Sequence, residues 1–249
     1  MKRRYKIPNK KIIIFTGAGI SAESGISTFR DADGLWENHE IEEVCTQSSW
    51  KKNFELVHRF YNQRRAEMAS VLPNRAHQVV AKIKEKYQDD CLVLTQNVDD
   101  LFERAGVESL VHLHGEATKM HCTACGNIWD IGYGIFDTQS DRCPKCNSLK
   151  GVKPHIVFFG GEAPMYQELY KSIEYMKSSS SIIVVIGTMG NIIPISDVIK
   201  LFPCKKILNN LESSEYIDGT LFDKVYYEKA TTALPKIEED IVQWFAEGT

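Results

Sequence analysis

One stretch narrows the possible folds more than any other: IIIFTGAGISAESGISTFRD, from Ile12 to Asp31. Ile12–Phe15 is a short apolar run that reads as a buried strand. It breaks at once into Gly17, Ala18, Gly19 and, three positions on, Ala22, which is the G-x-G-x-x-G/A spacing. Glycines there allow a tight turn and close backbone approach, and a helix opening after the turn would aim N–H groups at a pyrophosphate. The same residues would equally serve a strand-to-helix turn that needs small side chains for packing. The motif alone leaves both readings open.

Runs of the same kind recur at Cys91–Leu94, Leu110–Leu113, Ile156–Phe159, Ile182–Ile186 and Lys205–Leu208. Helical periodicity is clearest in AHQVVAKIKEKY, MYQELYKSIEYMK and PKIEEDIVQWF. Strands alternating with helices predict an α/β fold, a doubly wound parallel sheet covered on both faces. At 249 residues and 43% hydrophobic, the chain can build one large core and a smaller module. Two interruptions of the alternation define that module: residues 35–75 and 119–151 are assigned to it, and residues 1–34, 76–118 and 152–249 to the large domain. A net charge of -3 gives no general attraction to nucleic acid or to an anionic membrane. The six Lys and Arg among the first eleven residues read as a solvated tail. No apolar window reaches the roughly 18 residues of a membrane span, so a cytoplasmic, monomeric protein without nucleic-acid or membrane partners is expected.

A hydride-transferring enzyme of this class would show a second strand ending in an acidic residue about 20 positions after the glycines. DGLWENHEIEE stands there instead. The ribose-binding feature falls far downstream, where KKILNNLE offers Asn210 and Glu212 after a strand, and VVIGTMG ends another strand at Gly187 and Thr188. Ligands of parallel sheets sit at the carboxyl ends of the strands, so polar residues there carry the most weight. CLVLTQNVDD delivers Gln96, Asn97 and Asp99 within one turn, and VHLHGE places His112 and His114 in alternation, on one face of a strand by period two. His114, last before Gly115, is the candidate general base. No Ser or Cys elbow accompanies Asn97 and Asp99, which suit hydrogen bonding to a sugar or an amide.

Four of the seven cysteines form two close pairs, Cys122/Cys125 and Cys143/Cys146, separated by seventeen residues. Two C-x2-C knuckles give four thiolates, a closed tetrahedral zinc site with no open position, hence structural rather than catalytic. Nucleic-acid-binding zinc ribbons share this pattern, but the insert lacks a basic-aromatic stripe.

Taken in order, GAGISAESGISTFRD, TQNVD, HLHGE, the cysteine pairs, KPHIVFFG, GTMG and NLE resemble the sirtuins, the NAD-dependent protein deacylases. The resemblance runs from about Lys11 to the C-terminus. It implies a Rossmann-type large domain with a small zinc-binding and helical module, NAD and an acyl-lysine protein substrate meeting between them. It further implies NAD contacts from Gly17, Ala18, Gly19, Ala22, Phe29, Arg30, Gln96, Asn97, Val98, Asp99, Gly187, Thr188, Met189, Asn210, Leu211, Glu212 and Ala230. Catalysis would fall to His114, Asn97 and Asp99: nicotinamide leaves as the acyl oxygen attacks the ribose, His114 activates a ribose hydroxyl, and the acyl group departs on ADP-ribose. Val157, Phe159 and Gly160 would pair with the substrate backbone. Mono-ADP-ribosyl transfer to a protein would use the same cleft, and a non-catalytic zinc-ribbon nucleotide sensor is the third reading.

In FELVHRFYNQRRAEM, Val57, Tyr61, Arg64 and Met68 share one helix face. A guanidinium fork matches a carboxylate, and this Y-x-x-R resembles the class III sirtuins, which remove succinyl and malonyl groups. Three departures from the family pattern stand out. Ser27 replaces a usual Pro, Met189 a usual Ser, and Gly161 is an extra glycine before Glu162.

Overall fold

The structure is a computed structural model and describes residues 10–27, 35–36 and 39–247. In chain order its elements are β1 (Ile12–Thr16), α1 (Gly19–Ala22), β2 (Leu35–Trp36), β3 (His39–Glu40), α2 (Ile41–Val44), α3 (Phe54–Ser70), α4 (Arg75–Tyr87), β4 (Cys91–Thr95), α5 (Leu101–Arg104) and β5 (Val111–His112). They continue with β6 (Gly115–Cys122), β7 (Ile128–Asp130), β8 (Val152–Ile156), α6 (Tyr166–Met176), β9 (Ile182–Ile186), α7 (Ile195–Ile199), β10 (Lys205–Asn210), β11 (Lys224–Tyr227) and α8 (Ala230–Glu247).

Six strands form one parallel sheet in the order β11-β10-β9-β1-β4-β5. Counting only these strands along the chain, the spatial order is 3-2-1-4-5-6, the doubly wound dinucleotide-fold order. The pleat divides β1 between two cores. Ile12 and Ile14 pack with α4 and α8 on one face, and Ile13 and Phe15 pack with α6 and α7 on the other. This two-sided burial explains why β1 and β9 are continuously apolar rather than alternating. The connection from β1 leads to β4 on one side, while β9 lies on the other. The crevice at the carboxyl ends of β1 and β9 is therefore the switch point where such sheets bind ligands.

A second core lies outside this sheet. Trp50, Phe54, Val57, Phe60, Tyr61 and Met68 from the α3 region bury against Met120, Val152 and Ile156 of an antiparallel sheet ordered β7-β6-β8, and against Phe158 just beyond it. Fully buried Arg65 joins the two, its guanidinium donating to the carbonyls of Gly134 (2.8 Å) and Ala117 (3.2 Å).

Two strand expectations are corrected here. The run Ile156–Phe159 does not join the parallel sheet: the strand is Val152–Ile156, and it pairs antiparallel with β6. Nor does His114 share a strand with His112, because β5 ends at His112 and the chain turns through His114 before β6 begins. Gly115 makes that turn possible, at φ +85° and so close to β8 that an added Cβ would lie 2.0 Å from the His155 carbonyl oxygen. Strands β6, β7 and β11 went unread in the sequence, and α8 starts five residues before Pro235 and takes it within the helix. Among the described residues, no helix is long and apolar enough to cross a membrane.

Candidate active site

The glycine loop packs against the end of β9. A Cβ on Gly19 would lie 2.7 Å from the Gly187 Cα, and one on Gly17 2.8 Å from the Gly187 oxygen. Gly17 N–H donates to the Ile186 carbonyl (2.9 Å), Gly19 N–H to that of Gly187 (2.8 Å) and Ser21 N–H to that of Ala18 (3.0 Å). These N–H groups are engaged within the fold, and α1 is a single turn. The glycines serve packing, and by doing so set the floor of the switch-point crevice. Replacing Gly19 by Ala is expected to cost about 1–3 kcal/mol through this backbone clash. A lower melting temperature together with weakened ADP-ribose binding in calorimetry checks it.

Above that floor a buried polar cluster joins α1, α4 and the β4 end. Asn74 caps α4, its side-chain oxygen accepting from Ala76 and His77 N–H while its own N–H donates to His77 Nδ1 (3.3 Å). His77 Nε2 thus carries the proton and faces Ser21 Oγ at 3.4 Å. Ser21 Oγ also accepts from Asn97 Nδ2 (3.0 Å) and donates to Asp99 Oδ2 (3.0 Å). Burial pushes His77 down to about 4, so it is neutral near pH 7. Burial raises Asp99 above the usual carboxylate value, against the opposing hydrogen bonds from Leu101 N–H and Ser21. Asn97 is 6% exposed, and its Oδ1 is buried with no hydrogen-bond partner. An orphaned buried acceptor is costly, and a carboxamide N–H such as that of nicotinamide would satisfy it. The residues present fit NAD.

Beside this cluster stands His114, its Nδ1 3.0 Å from the Gln96 carbonyl and its Nε2 2.9 Å from the Tyr166 hydroxyl. A carbonyl can only accept, so Nδ1 carries the proton and Nε2 presents a lone pair. Burial holds the His114 pKa below its ordinary value, with the Gln96 carbonyl opposing. His112 plays a different part. Its Nδ1 lies 2.7 Å from the Asn97 carbonyl and its Nε2 2.7 Å from Glu103. Burial alone would lower its pKa, but Glu103 and the Asn97 carbonyl outweigh that and raise it. His112 therefore steadies the Asn97 backbone from behind.

The remaining predicted residues divide by place. Gln96 Nε2 donates to Thr188 Oγ1 (3.1 Å), joining the β4 and β9 ends. Asn210 is occupied by reciprocal bonds with the Thr188 backbone (3.0 and 2.8 Å), while Leu211 and Glu212 are exposed just beyond β10. Ala22 is exposed in α1, Val98 packs against the second core, and the Met189 carbonyl accepts from Ser214 Oγ. Ala230 is buried at the start of α8, where Glu23 receives Thr231 N–H (3.0 Å). Phe29 and Arg30 lie outside the described residues. Val157 N–H donates to the His114 carbonyl (2.9 Å) and Phe159 N–H to that of Cys45 (2.8 Å). Gly160 at φ +76° and Gly161, whose N–H meets the Phe158 carbonyl, close a tight turn there. Ser21, His77 and Tyr166 were missed by sequence reasoning. Only His77 left a signal, standing three residues after the capping Asn74.

Four sulfurs, of Cys122, Cys125, Cys143 and Cys146, lie within 4.8 Å of one another, with Cys122–Cys146 and Cys125–Cys143 each at 3.6 Å. A tetrahedron of Zn–S bonds near 2.3 Å has sulfur edges of about 3.8 Å, so the four thiols fit a structural zinc ion.

The Sir2 family profile matches residues 17–194. The chain belongs to the Sir2 family. The NAD-dependent protein deacylase of Helicobacter hepaticus is 42% identical over 255 residues, covering 94% of this chain and 98% of its own. That of Escherichia coli is 37% identical over 245 residues, covering 96% of this chain and 85% of its own. A solved Sir2 homologue–NAD complex superposes with a TM-score of 0.80 at 30% identity, covering 95% of this chain and 91% of that one. A mutant Sir2 homologue bound to ADP-ribose gives 0.81 at 29%, covering 96% and 95%. These Sir2 likenesses extend over both sheets.

Proposed function

We propose that this Sir2-family chain is an NAD-dependent protein-lysine deacylase whose acyl pocket admits succinyl and malonyl groups as well as acetyl. The observation that carries the deacylase reading is the meeting, at the sheet's switch point, of a neutral His114 with an unprotonated Nε2 and an Asn97 with an orphaned Oδ1. NAD supplies the electrophilic ribose carbon and the hydroxyl that receives the acyl group. Asn97 Oδ1 would accept from the nicotinamide carboxamide, and Ser21 ties Asp99 into the same buried cluster beside it. Gln96 and Thr188 shape the sugar's surroundings. His114 takes the proton of the attacking hydroxyl at Nε2 while the Gln96 carbonyl steadies the charge that forms on the ring. The acyl-lysine enters between the two cores, beside Val157, Phe159 and Gly160. NAD offered with acetyl- and succinyl-lysine forms of one peptide tests this by mass spectrometry. Free lysine and acylated ADP-ribose support it, whereas a peptide that gains ADP-ribose mass favours transfer to protein.

The acyl preference rests on α3. Tyr61 and Arg64 are 1% and 6% exposed, one turn apart on the face that also buries Val57 and Met68. Tyr61 OH lies 3.6 Å from Cys45 Sγ, and Arg64 pairs with Glu67 on the next turn. A guanidinium brought into an apolar face and already meeting a carboxylate is suited to a second, acyl-borne one. Arg64→Met is expected to lower kcat/KM for the succinyl peptide by about 10–100-fold, the worth of a charged hydrogen bond of about 1.5–3 kcal/mol. The acetyl peptide should change little. Equal losses on both peptides would remove the carboxylate pocket from the account.

A further inference from the structure

We propose that Tyr166 is a positioning residue for His114: its phenol holds the imidazole with Nε2 unprotonated and occupies that nitrogen until a ribose hydroxyl takes its place. The proposal rests on the reading of His114 as the base. Tyr166 is the first residue of α6, part-buried on the parallel-sheet side of the site, with its hydroxyl 2.9 Å from Nε2 and the two rings 5.8 Å apart at 43°. The Gln96 carbonyl already requires hydrogen on Nδ1, so the Tyr166 O–H must be the donor at Nε2.

Both ring nitrogens are thus spoken for, and the imidazole is pinned at each end. A donor at Nε2 also reinforces the tautomer that the Gln96 carbonyl sets and that general-base chemistry needs, before any ligand arrives. The geometry of an alcohol donating to Nε2 is the geometry a substrate hydroxyl must adopt, so the phenol is a stand-in for it. Burial and the neighbouring Tyr170 hold the Tyr166 hydroxyl above the usual phenol range, which keeps it a donor rather than a phenolate. Met165, beside it on the chain, lines a separate cavity of about 330 Å³ with His112 and Glu116, outside the His114 contact.

Tyr166→Phe, which keeps the ring, tests the assignment by two readouts. In 15N-histidine NMR of the ligand-free protein, the Gln96 carbonyl keeps the Nδ1–H tautomer in both proteins, and the His114 Nε2 resonance should move downfield in the variant, where that lone pair has lost its donor. ADP-ribose titrated by calorimetry should bind the variant about fivefold more tightly, since it no longer displaces a hydrogen bond. Adding ADP-ribose to wild type should also shift the Tyr166 Cζ resonance, a measurement that needs no variant. Among the described residues, Tyr170 is the titratable group that acts on the phenol, so the acid limb of the kcat/KM profile should move to higher pH once the donor to the neutral ring is gone. An unchanged ring spectrum with unchanged ADP-ribose affinity overturns the proposal. So does a loss of kcat as deep as that of a His114 variant with the tautomer intact, which would make the phenol a proton carrier. If no acylated peptide is turned over by wild type, the deacylase reading fails, while the ring spectrum still decides the Tyr166–His114 contact.

Discussion

His114→Ala is expected to lower deacylation of every acyl peptide by about 10²–10⁴-fold, the usual contribution of a positioned general base. Nicotinamide release in the presence of an acyl peptide, followed by chromatography, is the measurement. Neither neighbouring histidine can take over, because His77 points its protonated Nε2 at Ser21 and His112 has both nitrogens engaged. The pH dependence follows from the same surroundings. His114 works as the neutral ring, and burial depresses its pKa, so activity persists below the ordinary imidazole value of about 6.5 and is lost only as pH falls through the lower value. An acid limb above pH 7, or a His114→Ala enzyme that keeps a tenth of its rate, would remove His114 from the role of base.

Loss of the metal should be as damaging, by a different route. Cys143→Ser is expected to abolish binding of one zinc per chain, seen by elemental analysis, and to lower the melting temperature by about 10 °C or more. The magnitude follows from what the thiols hold together. Cys122 and Cys143 are buried in the second core among Phe54, Phe136, Met120 and Val152, and they bring the end of β6 to the segment before β8. Activity should fall with the fold, since β6 leaves directly from the His114 turn and β8 is followed by Val157, whose N–H holds the His114 carbonyl. A variant that keeps full stability after losing zinc would show that the hydrophobic contacts suffice and the metal is dispensable.

Much of this architecture was legible in local pattern. The apolar runs of β1, β4, β9 and β10, the periodicity of α3, α4 and α6, and the two cysteine pairs are short-range signals, and the structure has each of them. The run at Ile156–Phe159 misled because apolar content shows that a segment is buried, not in which of two cores. Strands β6 and β7 escaped because GEATKMHC and IWD mix charge with apolar residues, an irregularity between Glu116 and Met120 breaks the alternation of β6, and β7 is a half-exposed edge. The histidine spacing in VHLHGE suggested one strand, yet Gly115 at positive φ turns the chain between two sheets at that point.

The amino-acid order alone determined the composition of the site: a glycine turn after an apolar strand, polar residues at a strand end, an imidazole before a glycine, four thiols in pairs. These are properties of neighbours in the chain, set by backbone sterics, side-chain periodicity and ligand spacing. Only the tertiary structure decided which nitrogen of His114 is unprotonated, that Asn97 keeps an unsatisfied oxygen, and that Ser21, His77 and Tyr166 belong to the same place. Those contacts join residues 18 to 78 positions apart, and their energies depend on burial and hydrogen-bond geometry created when separate elements close on one another.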